Sequence, residues 1–251
     1  MPSLSSPVET LDAICGGQVQ LLQPARGKGY RFSLDSVLLA HFVAQTGRGT
    51  SGGIADLGTG GGIIPLILAR KFGWTRLVGI ELQPALFELA MRNVRLNGAE
   101  DTVSVVLGDL RRVKELLPRE AFGQVVANPP YFRARSARLS PDPQRAHARH
   151  EISCRIEDIV SAAKYLLRDR GLLHLVFPAG RLDDLMTALR LGRFTPRVLR
   201  LVHPRGHAPA RLALVAAVKH GRVGELKVES PLVVHLDDGP GFSPEVRQML
   251  E

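Results

Sequence analysis

Disulfide and zinc chemistry are excluded first. The 251-residue chain has two cysteines, Cys15 and Cys154, far apart and outside any C-x-x-C pattern, so neither a disulfide framework nor a zinc knot is expected. Acid is also scarce: 24 Asp and Glu stand against 33 Lys and Arg, a formal charge of +9 with a pI near 10.2. That balance suits a polyanionic partner such as nucleic acid, although arginine in an Ala/Leu/Gly-rich chain also follows from codon usage alone. No apolar run is long enough to span a bilayer. The start, Met-Pro-Ser-Leu-Ser-Ser-Pro-Val-Glu, lacks the basic and apolar stretches of an export signal. Repeats and low-complexity tracts are absent. A reducing cytoplasm is the expected location, with no membrane partner.

What is present alternates. Strands are expected over Ile54 to Asp56, Arg76 to Glu81, Val103 to Leu107 and Gln124 to Ala127. Helices are expected between them over Ile63 to Phe72, Pro84 to Asn97 and Leu110 to Leu117. Proline in the first turn and Gly98 after the last are helix punctuation. Beyond an irregular stretch come a helix (Ile156 to Leu167), a strand (Gly171 to Phe177) and a helix (Leu182 to Leu191). Two final strands follow, Val198 to Val202 and Leu212 to Lys219, joined by a Pro/Gly turn. Such alternation means an α/β fold with a doubly wound, mostly parallel sheet. Ahead of it, residues 1–46 form a small amino-terminal extension on the cofactor side. Met1 to Thr10 is read there as a loose tail, Val19 to Leu22 as a strand, and Ser33 as the cap of a helix bearing Leu34, Val37, Leu38, His41 and Phe42 on one face. The main domain is expected over 47–251, with the segment after 230 loosely ordered.

Chemistry concentrates at strand ends. Val125 to Ala127 runs into Asn128-Pro129-Pro130-Tyr131, where two prolines take the chain out of the sheet with a stiff backbone. A polar amide and an aromatic ring are thereby left at the carboxyl edge, where open α/β proteins hold their ligands. Upstream, Asp56-Leu-Gly-Thr-Gly-Gly-Gly-Ile63 turns a strand into a helix, so Gly58, Thr59 and Gly60 allow close approach to a ligand and the helix start offers N–H groups. Ile63 stands where a dinucleotide fingerprint needs its third glycine. Glu81, ahead of Leu82, can accept from two ribose hydroxyls, and Asp109, ahead of Leu110, from an adenine amine. Asp56, Glu81 and Asp109 together suit a ligand with a cationic or neutral head and not a pyrophosphate. Each alone would serve equally well as a helix cap.

These motifs in this order resemble the S-adenosylmethionine-dependent methyltransferases of the Rossmann-like class, whose sheet has about seven strands with the last antiparallel. Gly29-Tyr-Arg-Phe-Ser-Leu-Asp-Ser-Val-Leu-Leu-Ala40 and Ala148-Arg-His-Glu151 are similar to segments of the tRNA adenine N6-methyltransferases that modify the base beside the anticodon of a valine tRNA. The resemblance implies S-adenosyl-L-methionine as cofactor, with Phe32 and Asp35 near its methionine part. It implies catalysis at Asn128, Pro129, Pro130 and Tyr131. There the Asn128 side-chain oxygen and the Pro129 carbonyl hold the two hydrogens of the adenine amine, and Tyr131 stacks on the base.

A basic, irregular stretch follows directly. Arg133, Arg135, Arg138, Arg145, Arg149, His147 and His150 suit a phosphate backbone, and Arg205 and Arg211 belong to a second basic group with the same use. The spacing of His147, His150 and Glu151 fits no standard metal site, and the chemistry proposed needs no metal. Rival readings remain. A methyltransferase acting on release-factor glutamine shares Asn-Pro-Pro-Tyr, because a carboxamide offers the same planar NH2. Only about fifty residues precede Asp56, too few for the helical domain of that family. Methylation of ribosomal RNA and a non-enzymatic RNA-binding module are the other two.

Overall fold

The computed structural model of the chain describes residues 9–25, 33–47, 51–129, 154–222 and 224–251. Its body is one sheet of β3 (Gly53–Leu57), β4 (Leu77–Glu81), β5 (Val103–Leu107), β6 (Phe122–Ala127), β7 (Leu167–Pro178), β8 (Phe194–His203) and β9 (Leu212–Lys219). They lie in the order β8-β9-β7-β6-β3-β4-β5. Strands β3 and β6 are buried at every position, as central parallel strands covered on both faces must be. β9 runs antiparallel to β7 and β8, and the remaining pairs of this series are parallel. Two two-residue strands near the chain's end, β10 (Lys227–Val228) and β11 (Leu232–Val233), add to β8 and bring the sheet to nine.

Alternate strand residues divide between two cores. Ile54 and Val126 join α1 (Leu34–Thr46), α2 (Ile63–Arg70) and the end of α3 (Pro84–Leu96) on one face. Ala55, Val125 and Ala127 join α4 (Val113–Leu116), α5 (Ile156–Leu166) and α6 (Leu182–Leu191) on the other. The punctuation of α3 acts as its residues suggest: Pro84 sits in the first turn and Gly98, at φ +56°, closes the end in the left-handed conformation that glycine adopts without strain.

Three expectations need correction. Glu9 and Thr10 are not tail but open β1 (Glu9–Ile14), which forms a separate hairpin with β2 (Val19–Pro24). Helix α1 has no single apolar face, because every residue from Ser36 to Ala44 is buried. The segment after Ser230, expected to be loose, is built into the fold and supplies the extra cover that α1 requires. It ends in α7 (Pro244–Leu250), whose Val246 and Met249 are buried and whose first turn is capped by the Ser243 hydroxyl accepting from the Val246 N–H. The Met249 carbonyl accepts from Lys71 Nζ at 3.2 Å and lies 3.1 Å from His41 Nε2. The Gly16 N–H donates to the Leu250 carbonyl. Arg200, 8 % exposed, grips Glu245 with two bonds of 2.7 Å and the Ser230 carbonyl with a third. Among the described residues no helix is long and apolar enough to cross a membrane.

Two buried histidines make this fold acid-sensitive. Burial pushes His174 from the ordinary 6.5 down to about 3. Burial and then the Lys71 charge push His41 down to about 4, against the Met249 carbonyl contact. His174 Nε2 lies 2.9 Å from Gln124 Oε1, whose own amide nitrogen donates to the Gly47 carbonyl, so His174 is neutral with its proton on Nε2. Because both folded-state values lie below 6.5, the unfolded chain takes up these protons first. Their stabilisation is complete above about pH 6.5 and declines as pH falls toward 4. Asp56 has the opposite sign, its carboxyl raised from 3.8 to about 7, and offsets one of the two. These three groups together give an expected loss of about 1 kcal/mol per pH unit between about pH 6 and 5, and the Asp35 carboxyl, also raised by burial, acts against it. A urea midpoint that stays flat across that window would contradict it.

Candidate active site

Strands β6, β3, β4 and β5 are neighbours, so the exits from their carboxyl ends fall in one row. Asn128 comes first, then Gly58-Thr59-Gly60, then Glu81-Leu82, then Asp109-Leu110. At ordinary strand spacing the row is about 14 Å long. It spans the point between β6 and β3 where strand order reverses, the usual ligand position in such sheets.

The glycine turn is held from within. Gly58, Gly60 and Gly62 have φ of +75°, +59° and +83°, a backbone that side chains resist. The Gly58 and Thr59 N–H groups both donate to the Ile80 carbonyl, and that of Gly62 donates to the Thr59 carbonyl. The Gly60 N–H donates to Glu81 Oε2 at 2.9 Å. Glu81, 5 % exposed, accepts a second bond on Oε1 from the Gln83 N–H at 2.8 Å. Four N–H groups of the turn itself are thus engaged by protein. What the turn offers instead is room. A Cβ on Gly58 would meet no atom within 4 Å, and Gly58 lines an open cleft together with Thr59, Gly61, Ser36, Asn93 and Asn128. Leu21, Leu22, Gln23 and Pro24 of the hairpin line it too.

Each acid has its own electrostatics. Asp56 is 2 % exposed, and neither its oxygens nor the Thr59 hydroxyl has a hydrogen-bond partner of normal geometry among the described residues. Burial pushes its carboxyl up to about 7, with the Thr59 hydroxyl opposing and the Glu81 charge adding to the rise. Burial likewise pushes up the Asp35 carboxyl in the first turn of α1. Asp109 goes the other way. Its two oxygens accept from Arg111 Nε and Nη2, and one also accepts from the Arg111 N–H as a cap. The guanidinium holds this carboxyl below the usual range. The cap reading thus holds for Asp109, and a ligand amine would share its oxygens with Arg111.

Asn128 leaves the end of β6 half-buried and donates from Nδ2 to Ser36 Oγ at 2.9 Å. Ser36 is 2 % exposed, so α1 reaches under the sheet edge to hold the amide. Pro129 is buried beside it, Leu82 is 40 % exposed, and Leu110 is half-buried. Phe32, Pro130, Tyr131, Arg133, Arg135, Arg138, Arg145, Arg149, His147, His150 and Glu151 lie outside the described residues. Among the described ones no group of three or more His, Cys, Asp or Glu could hold a metal ion. Two site residues escaped the sequence reading. Ser36 sits within the Gly29–Ala40 segment, and Asn93 interrupts the apolar stripe of Leu86, Leu89, Ala90 and Val94 on α3, a polar position in a buried row that could have drawn notice.

The second basic group splits. Arg211 is exposed. Arg205 is spent on the protein, its guanidinium donating to the carbonyls of Leu236, Asp237 and Gly239. This gives it a structural task that its expected role as an RNA contact did not include. Arg205→Ala is expected to lower stability by about 1 kcal/mol and to leave the salt slope of RNA binding unchanged, whereas a flatter slope would return it to the RNA surface.

Residues 33–181 match the model of the methyltransferase small domain family. The chain is 32 % identical over 232 residues to a Porphyromonas gingivalis protein named tRNA1(Val) (adenine(37)-N6)-methyltransferase, covering 90 % of this chain and 89 % of the relative. A Vibrio campbellii protein of the same name is 27 % identical, with 88 % and 87 % covered. Among solved structures, a predicted O-methyltransferase from Agrobacterium tumefaciens superposes with a TM-score of 0.67 at 26 % identity, covering 86 % of this chain and 94 % of that one. The M. jannaschii TYW2 protein in complex with AdoMet superposes at 0.58 and 15 % identity, with 87 % and 89 % covered, a likeness of fold alone.

Proposed function

The chain belongs to the methyltransferase small domain family, and on that premise we propose that it methylates the N6 amine of adenine 37 in a valine tRNA, as the names of its relatives indicate. The chemistry is S-adenosyl-L-methionine-dependent methyl transfer. The residues along this sheet edge fit such a cofactor. Gly58 leaves open space, Glu81 and Asp109 stand at successive strand ends, and Asp56 is a buried acid without a hydrogen-bond partner beneath the turn, where a cationic ligand offsets the cost of ionising it. Gly58, Thr59, Gly60, Glu81, Leu82, Asp109 and Leu110 would hold the nucleoside part, and Asp35 the amino-acid part. Phe32 is assigned there by resemblance. When bound, the cofactor supplies an electrophilic methyl group on a sulfonium.

The protein's task is the adenine. Its exocyclic nitrogen is a weak nucleophile because the lone pair is delocalised into the ring. Asn128 Oδ1 and the Pro129 carbonyl are assigned to accept the two amino hydrogens, favouring a pyramidal nitrogen and stabilising the positive charge that develops on it. Tyr131 is assigned to stack on the base. The surplus proton needs no strong base, since the alkylated nitrogen is acidic. The observation that carries this reading is the shared cleft: Asn128, held by Ser36, lines it with Gly58 and Thr59. Arg133, Arg135, Arg138, Arg145, Arg149 and exposed Arg211 are assigned to the RNA backbone, and such a substrate puts the enzyme in the cytoplasm. The test is transfer from labelled cofactor to bulk tRNA, ribosomal RNA and release factor in parallel, with nucleoside analysis. Label in N6-methyladenosine of tRNA is expected. Label confined to release factor would overturn the substrate and leave the fold untouched.

A further inference from the structure

Building on the cofactor reading above, we infer that Asn93 is a positioning residue of the cofactor cleft: one buried amide fastens hairpin strand β2 to the glycine turn and sets the separation of these two parts of its lining. Asn93 is fully buried on α3. Its Oδ1 accepts from the Leu22 N–H at 2.7 Å, and its Nδ2 donates to the Leu22 carbonyl at 3.1 Å and to the Gly61 carbonyl at 2.9 Å. The orientation of the amide is unambiguous, because the reverse would set its oxygen against two carbonyls and its nitrogen against an N–H. Leu22 of β2 and Gly61 of the glycine turn both line the cleft, and this side chain bridges them.

One turn further along α3, Asn97 treats the strand in the same way. Its Oδ1 accepts from the Gln20 N–H at 2.9 Å and its Nδ2 donates to the Gln20 carbonyl at 2.7 Å. The two spacings agree: four helical residues rise about 6 Å and two strand residues advance about 6.8 Å. Side-chain amides at i and i+4 therefore replace the neighbouring strand that the outer edge of β2 lacks. The second donor of each amide separates the two residues. Asn97 gives its own to the Asn93 carbonyl within the helix, and Asn93 gives its own to the turn. Asn97 docks the hairpin; Asn93 docks it and registers it against the turn.

Asn97→Ala is accordingly the control for Asn93→Ala. The probes are calorimetric titration with S-adenosyl-L-methionine and hydrogen exchange on the full chain. Both variants should lose thermal stability and gain exchange in residues 18–24. Only Asn93→Ala should gain exchange in residues 57–64 and raise the cofactor Kd about tenfold or more, against less than about threefold for Asn97→Ala. Turnover at saturating cofactor should be retained in both. Asn93→Asp keeps shape and the Leu22 N–H acceptor but loses both donors, so it should match Asn93→Ala and serves if the alanine variant does not fold. Equal shifts in Kd for Asn93 and Asn97 variants, or an unchanged turn in the Asn93 variants, would overturn the inference while binding by the wild type upholds the cofactor reading. Absence of wild-type binding would overturn both.

Discussion

Asn128→Ala is expected to cut methyl transfer to tRNA by about a thousandfold in kcat, while the Kd for S-adenosyl-L-methionine moves by less than about threefold. The asymmetry follows from where the residue stands. It lines the cleft from the β6 side, with its amide nitrogen on Ser36 Oγ, whereas the glycine turn is braced by Ile80, Thr59 and Glu81 without it. Its assigned work is done on the substrate amine, through an acceptor that matters most as charge develops on the nitrogen. Losing a preorganised dipole of that kind costs the chemical step and leaves ground-state binding of the cofactor nearly untouched. A structural explanation would look different. Ser36 is buried and would lose a partner, a cost of about 1 kcal/mol in stability, which a melting curve reads independently. Ser36→Ala, which keeps the acceptor and releases its tether, should fall between the two enzymes in kcat. Equal loss of turnover and cofactor binding in Asn128→Ala would take the residue out of the role assigned to it.

Those features were legible where a residue type is itself the instruction. Gly58, Gly60 and Gly62 adopt a backbone that other residues resist, and Pro84 and Gly98 start and close a helix for reasons local to them. Contiguous apolar runs such as Val125 to Ala127 announced buried parallel strands. What stayed hidden depends on partners distant in the chain. The tail after Ser230 has no long apolar run, and its order comes from Arg200 on Glu245, Lys71 on Met249 and Gly16 on Leu250. A Ser243-Pro244 helix start was its one local mark. Charge was the least specific guide. Arg205 and Arg211 look alike in composition, yet one is consumed by three backbone carbonyls and the other faces solvent. In the glycine turn, likewise, sequence counts N–H groups without showing that Ile80 and Glu81 hold those of Gly58, Thr59 and Gly60.

Glu81 is the second position where a large effect is expected: Glu81→Ala should raise the cofactor Kd about a hundredfold and leave kcat at saturating cofactor within about threefold. The carboxylate has two duties on the page and one assigned. It fixes the Gly60 and Gln83 N–H groups, its charge bears on Asp56, and it is assigned to accept from the ribose hydroxyls. Glu81→Gln separates these. An amide of the same shape can accept from one of the two N–H groups but must face the other with its own donor, so part of the brace is lost along with the charge. The charge has a signature of its own. In the wild type the Asp56 carboxyl is held near 7, first by burial and further by Glu81, so affinity for a cationic ligand should rise as pH climbs through about 7 and Asp56 ionises. With glutamine at position 81 that contribution is gone, and the rise should move to lower pH. Calorimetric Kd values from about pH 5.5 to 8.5 read both effects. An unchanged Kd in Glu81→Ala would remove the residue from the cofactor site. A pH midpoint that does not move in Glu81→Gln would refute the coupling of the two buried acids.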